Sequence, residues 1–132
     1  MLRKGNKTME LCPFFKSLVD QDTSEVVICG VDHRILYMNP AACRQYAKAG
    51  GGELVGRNLL NCHSGSAADR ILQVLDWFQA SPQNNRVHTF YNEKEHKDVY
   101  MIALRDGEGR LIGYYEKHEY RNRDTAPLYA LA

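Results

Sequence analysis

Cys62 and His63 stand side by side, and a thiol next to an imidazole is a familiar pairing for nucleophilic catalysis. Adjacent residues usually point apart, so the adjacency alone makes no thiolate pair. The four cysteines, Cys12, Cys29, Cys43 and Cys62, lack any CxxC spacing, which argues against a zinc knuckle or a redox dithiol. They read as reduced, mostly buried thiols. Asp and Glu fall in expected turns and on helix exteriors, so no two carboxylates share a cleft, and the chain reads as non-catalytic with no metal site. His63 is open to three readings: a haem or metal ligand, a polar group lining a cavity or small-ligand site, or a capping and surface residue. His88 is a weaker ligand candidate on a strand face of unassigned direction. His33 in a turn and His96 in a charged loop read as solvated, and His118 receives no role. Tyr37, Trp77, Phe90, Tyr100 and Tyr114 offer apolar bodies with few polar tips, the lining a small-molecule pocket uses. The same rings would equally fill a solid core.

The frame for these residues is a chain of 132 residues, the size of one domain, with 44% hydrophobic and 25% charged residues. A formal net charge of +1 gives no electrostatic case for nucleic acid or an anionic membrane. No apolar run is long enough to span a bilayer, and the basic start Met1-Leu2-Arg3-Lys4 is not followed by a signal-peptide core. The chain therefore reads as cytoplasmic.

The elements that position the candidates follow from periodicity. Residues 1–9 read as a flexible leader, and 10–21 as a helix with Leu11, Phe14, Phe15, Leu18 and Val19 at helical spacing. Val-Val-Ile-Cys-Gly and Ile-Leu-Tyr-Met, within 25–38, predict a hairpin whose turn holds Asp32 and His33. Asn39 is set to cap the next helix, with Pro40 at its first position, where a missing N–H costs nothing. Residues 40–80 read as helices: 40–49, ended by Gly50-Gly51-Gly52; a short turn around Gly56; and 66–80, capped by Ser66. Trp77 lies at the margin of that last helix's apolar stripe, bracketed by Leu75 and Phe78. Residues 86–116 alternate as a three-stranded meander turned by Asp106-Gly107-Glu108-Gly109, and 121–132 form a tail. A late meander and an early hairpin must share one sheet if the middle helices are to cover its apolar face.

This order resembles the PAS domain family over 11–120. The resemblance is carried by the hairpin with Asp32 and Ile-Leu-Tyr-Met-Asn-Pro-Ala-Ala, by Glu-Leu-Val-Gly-Arg-Asn-Leu-Leu around Gly56, and by Arg-Asp-Gly-Glu-Gly-Arg-Leu-Ile-Gly-Tyr-Tyr-Glu at 105–116. Asn61-Cys62-His63 is similar to the subgroup with an Asn-Cys-His-Pro segment, although Ser64 replaces the proline. Lys117-His118-Glu119-Tyr120 replaces the Asp-x-Thr with which many sensor-kinase members end. The resemblance implies an α+β, PAS-like fold: a five-stranded antiparallel sheet with helices packed on one face, used for sensing or for partner binding, often as a homodimer.

Within that family the residues argue against covalent flavin, because Asn58 is followed by Leu59 where the light-sensing members place cysteine. Ala42 stands where the photoactive yellow protein has its glutamate. Haem-bearing members carry histidine in the long helix, which has none here, leaving only His63 before it. The cofactor stays open between haem and a small organic ligand. The expectation is a non-catalytic sensory or regulatory module that binds a small molecule or a partner protein, dimerises, and signals to an output domain. The alternative is a purely structural dimerisation domain with a filled core.

Overall fold

The computed structural model describes residues 2–4 and 7–131; Met1, Gly5 and Asn6 of the expected leader and Ala132 of the tail lie outside them. Within the leader, β1 (Leu2–Lys4) and β2 (Lys7–Met9) pair antiparallel as a small separate ribbon. Helix α1 (Cys12–Gln21) follows, with Pro13 in its first turn. Then come β3 (Val26–Gly30), β4 (Ile35–Met38), α2 (Pro40–Gln45), and three 3-10 turns at Ala47–Ala49, Gly51–Leu54 and Leu59–Cys62. The chain continues through α3 (Gly65–Ala80), β5 (Arg86–Asn92), β6 (Lys97–Arg105) and β7 (Leu111–Tyr120).

Strands β3 to β7 form one antiparallel sheet in the order β4-β3-β7-β6-β5. The early hairpin and the late meander are therefore one layer, joined where β3 meets β7 from Val26↔Lys117 to Gly30↔Gly113. Gly113 is required there, because a Cβ on it would fall inside the van der Waals shell of the Cys29 carbonyl oxygen. One face carries Val27, Cys29, Met101 and Tyr114 against Ile71, Leu75 and Phe78 of α3, with Ile35, Met38, Ala42 and Leu54 closing the cluster. Phe78 and Ala42 are fully buried, so the space between sheet and helices is packed with side chains.

The turns obey their chemistry. His33 takes positive φ in the hairpin turn, and Asp32 Oδ1 accepts from Arg34 N at 3.1 Å. Gly56, at φ +94°, turns the chain back along β4: its N–H donates to the Ile35 carbonyl, and Ile35 N donates to the Arg57 carbonyl. That return covers one edge of the sheet. At the C-terminal end of α3, Arg105 Nη2 donates to the carbonyl of Phe78 in the helix and to those of Ser81 and Asn84 in the loop that follows, tying the two together.

Three boundaries differ from expectation. The residue flanking α3 at its start is Ser64 rather than Ser66, and no side-chain bond caps it. The 40–49 helix is α only to Gln45 and then tightens to 3-10, because the glycine run that follows favours neither form strongly. Strand β7 runs on to Tyr120 through Lys117, His118 and Glu119, charged residues that masked it as strand.

Asn39 ties these pieces together. Its fully buried side chain accepts from Val26 N (3.0 Å) and Ala42 N (2.9 Å), and donates through Nδ2 to the carbonyls of Val19 (2.9 Å) and Ser24 (2.9 Å). One amide thus caps α2, fixes the start of β3 and holds the end of α1. Asn39→Ala strands several of these buried groups at once and should cost about 3 kcal/mol or more in urea unfolding, well beyond an ordinary cap loss. A loss below about 1 kcal/mol would show that water takes over the amide's bonds.

Candidate functional site

A buried ionic cluster occupies the helix-facing side of the sheet where β3 begins. Glu25, Lys97 of β6 and His118 of β7 are all nearly inaccessible. The register brings them together: Val26 lies opposite Lys117 and Val99 opposite His118, so their side chains leave neighbouring strands toward the same face. Lys97 Nζ donates to Glu25 Oε2 at 2.9 Å, and Tyr120 OH donates to Glu25 Oε1 at 2.8 Å. His118 Nε2 lies 2.7 Å from Glu116 Oε1, which also accepts from Tyr46 OH at 3.1 Å. The cluster thereby joins three strands to the helical layer through Tyr46. His118 Nδ1 is 2.9 Å from Glu25 Oε2, a charge contact whose N–H direction misses the oxygen, leaving that nitrogen without an aligned hydrogen bond.

Burial opposes every charge here, and the partners outweigh it. Burial pushes Glu25 up, but the neighbouring His118 charge and the bonds from Lys97 and Tyr120 bring it down to about 2. Burial pushes His118 down, but Glu116 and Glu25 flank it and raise it to about 9. Glu116 is held below its usual range, and Lys97 above its own, by the same partners against burial. At neutral pH the imidazole is therefore a cation, and each of its neighbours is committed to another group. Such a set holds structure together; it presents no free base or nucleophile to a substrate.

The residues singled out from sequence do not converge on one pocket. Tyr114 points between the layers, buried, with its hydroxyl 2.9 Å from His33 Nδ1. His33 is itself buried, contrary to the solvated reading, because the turn folds it onto Tyr114, and burial lowers its pKa so that it is neutral. Tyr100 is buried on the opposite face from Met101, under the Arg86 guanidinium (3.9 Å from the ring centre) and bonded to Arg121. His88 is half exposed on that same outer face, 2.8 Å from Asp98. Tyr37 pairs across from Ile28 and donates its hydroxyl to Asp20 of α1. His63 is exposed, its Nδ1 bonded to the Leu59 carbonyl, so the loop before α3 does not fold it inward. Phe90 (58% exposed) sits on the outermost strand, and Trp77 (44%) faces an open groove of about 440 Å³ with Gln73, Val74, Arg86 and Val87. A haem between the layers does not fit: buried core side chains occupy the space, and His63 and the weaker candidate His88 both lie outside it.

What sequence reasoning missed was the cluster itself. Glu25 and Glu116 are not on exteriors, and His118 is its centre. Their alternation along β7, Tyr114-Glu116-His118, was the available signal. A strand whose inward positions turn from apolar to charged reads as surface unless the opposite charges are paired across the sheet. Cys29 is buried beside Tyr114, and burial pushes its thiol up to about 12, so it is not a reactive thiolate.

One surface is left without a cover. Helix α1 has no buried residue, and Phe14 (62% exposed), Phe15 and Leu18 (70%) stand in solvent. Phe14, Ser17, Leu18, Gln21 and Asp22 line an open groove of about 380 Å³ along it. The helix is nonetheless fixed to the domain by Asn39, which bonds the Val19 carbonyl, and by the Tyr37 hydroxyl, which bonds Asp20.

No protein-family model matches the chain, and no curated protein does. Solved structures do. A C-terminal domain from Streptococcus mutans is similar at TM-score 0.66 and 20% identity, with 90% of each chain covered. A PAS domain from Colwellia psychrerythraea aligns at TM-score 0.61 and 9% identity, covering 84% of this chain and 97% of that one. The Aer2 receptor of Vibrio cholerae, described as a dual PAS-haem oxygen sensor, aligns at TM-score 0.53 and 21% identity over 72% of this chain and 91% of that one. These likenesses establish the fold.

The cluster sets a pH profile. His118 has a folded pKa above its unfolded value of 6.5, so its contribution is complete below 6.5 and is lost as pH rises through about 9. Glu25 is depressed, so its contribution is present above 4.5 and lost as pH falls toward about 2. Unfolding free energy should therefore decline on the order of 3 kcal/mol between pH 6 and 9.5. His118→Gln should be less stable at pH 6 and nearly flat across that window. An equally steep decline in the variant would assign the pH dependence to other groups.

Proposed function

We propose that this chain, whose fold is that of the PAS domains, is a non-catalytic sensory and regulatory module that works by association with a second copy of itself. The observation that carries this reading is α1, a helix that the domain grips through Asn39 yet leaves with Phe14, Phe15 and Leu18 in solvent. A two-fold pairing brings the same apolar patch against itself, which needs no second kind of partner. Charge agrees with an antiparallel pairing, since Lys16 lies in the first half of α1 and the exposed Asp22 just past its end, where each would face the other across the pair. The neighbouring outer face of the sheet, with Ile28 and Tyr37, extends the patch. The signal is a change in this association, passed to an output domain or a partner protein through α1 or the segment after β7. Solved structures of the same fold include a receptor described as an oxygen sensor, which supports a sensory role. Four free thiols support a reducing, cytoplasmic setting, and among the described residues no helix is long and apolar enough to cross a membrane.

A second reading, recognition of a small molecule, has one specific support: the unaligned His118 Nδ1 within a buried set of charges. A polar metabolite reaching that nitrogen would have to open the packing around Tyr46. Thermal shift against a metabolite panel distinguishes the two readings, because a ligand that binds only the folded chain raises its melting temperature with concentration. No shift with any compound leaves association through a filled-core domain as the working mode.

Sedimentation velocity at micromolar concentration should give a dimer for the unaltered chain and a folded monomer for Leu18→Asp. Loss of an exposed leucine leaves the core intact, so unfolding midpoints of the two should agree at concentrations where both are monomeric. A unaltered chain that sediments only as a monomer would end the self-association reading.

A further inference from the structure

We propose that the segment after β7 is a strap that closes over the α1 groove of its own chain, competing with a second copy for that face. The proposal rests on the association reading for what the strap controls. Three of the most exposed large apolar side chains lie on this segment: Leu128 at 90%, Tyr129 at 92% and Leu131 at 93%. Groove and strap therefore both expose apolar surface on one molecule.

Their positions bring them within reach. Strand β7 ends at Tyr120, whose hydroxyl bonds Glu25, and Glu25 follows the C-terminal end of α1 by four residues. The strap therefore leaves the sheet at the end of the fold where α1 stops. Residues 121–127 can span up to about 24 Å, and the ten residues of α1 extend only about 15 Å. Running from the α1 C-terminus toward its N-terminus, the strap first sets Arg123 beside Asp22 and the negative end of the helix dipole, all exposed. Leu128, Tyr129 and Leu131 then lie at the level of Leu18 and Phe14. Arg121 anchors the root, bonded to Asp98 and to Tyr100. Tethering gives the strap an effective concentration of order millimolar at the groove, above the micromolar concentration of a free second copy.

The test uses the full chain with Leu128→Asp, Tyr129→Asp and Leu131→Asp combined. These residues make no packing contact that folding needs. Hydrogen exchange of residues 12–21 is followed at a concentration where sedimentation finds monomer, and faster exchange in the variant is the expected result. Self-association should tighten about tenfold in the variant if the strap is closed ten times as often as open. Unchanged exchange on α1 overturns the strap whatever the oligomeric state. If both proteins stay monomeric while α1 exchange still rises, the strap stands and the association reading fails.

Discussion

The first two residues of the central hairpin hold the molecule together. Glu25 enters the ionic cluster with Lys97, His118 and Tyr120, while Val26 exchanges bonds with Asn39 through its N–H and its carbonyl. One position ties β3 to the far strands of the sheet, and the next ties it to α1 and α2. The pairing of β3 with β7 runs away from this junction to Gly113, where the backbones approach too closely for any side chain. Strands distant in sequence carry a loop-closure cost, and it is met here by bonds that only the assembled sheet can form.

That junction is polar where an apolar one would be cheaper. Burying Glu25, Lys97 and His118 strips water from three charges, and the Coulomb attraction between them returns that cost only in this geometry. Removing one member leaves its partners charged and unpaired in a dry site. An apolar cluster would tolerate β7 sliding against β3 by two residues, but Glu25 meets His118 and Lys97 in one register only. The cluster thus adds uniqueness to a pairing whose apolar contacts are less selective. The same arrangement commits the carboxylates of Glu25 and Glu116 to neighbouring donors and leaves His118 Nδ1 without an aligned bond.

The fold was legible in the sequence because its signals are local. Gly30 to Arg34 breaks one β-rich run from another, Asn39-Pro40 starts a helix, and Asp106 to Gly109 turns the last hairpin, each through the backbone preferences of a few residues. Joining the hairpin to the meander followed from the need to cover one apolar face. The site was not legible in the same way. Tyr37, His88 and Tyr100 have the chemistry of a pocket lining, but period-two alternation assigns faces only relative to one another, and an outer-face row looks identical until the register is known. The β-bulge at Thr89 shifts the phase within β5 itself. His118 and Glu116 were hidden for the opposite reason, since charged residues read as solvent-facing unless a partner is brought from strands over seventy positions away, as Glu25 is brought to Lys97.

A filled core limits where the structure can change. With Phe78, Tyr114 and Met101 buried together between the layers, movement there disturbs close-packed neighbours, so the inner layer transmits strain. The parts free to change are those outside: α1, gripped by one buried amide yet uncovered, and the segment beyond Tyr120, rooted by Arg121. Both are attached at the junction around Glu25 and Val26. A shift of either one pulls on bonds that fix the start of β3, and through them on every strand of the sheet. Rigidity inside and unpartnered apolar surface outside are therefore two sides of one design, and under the proposed association the sheet would be the stiff reference against which the two end segments exchange partners.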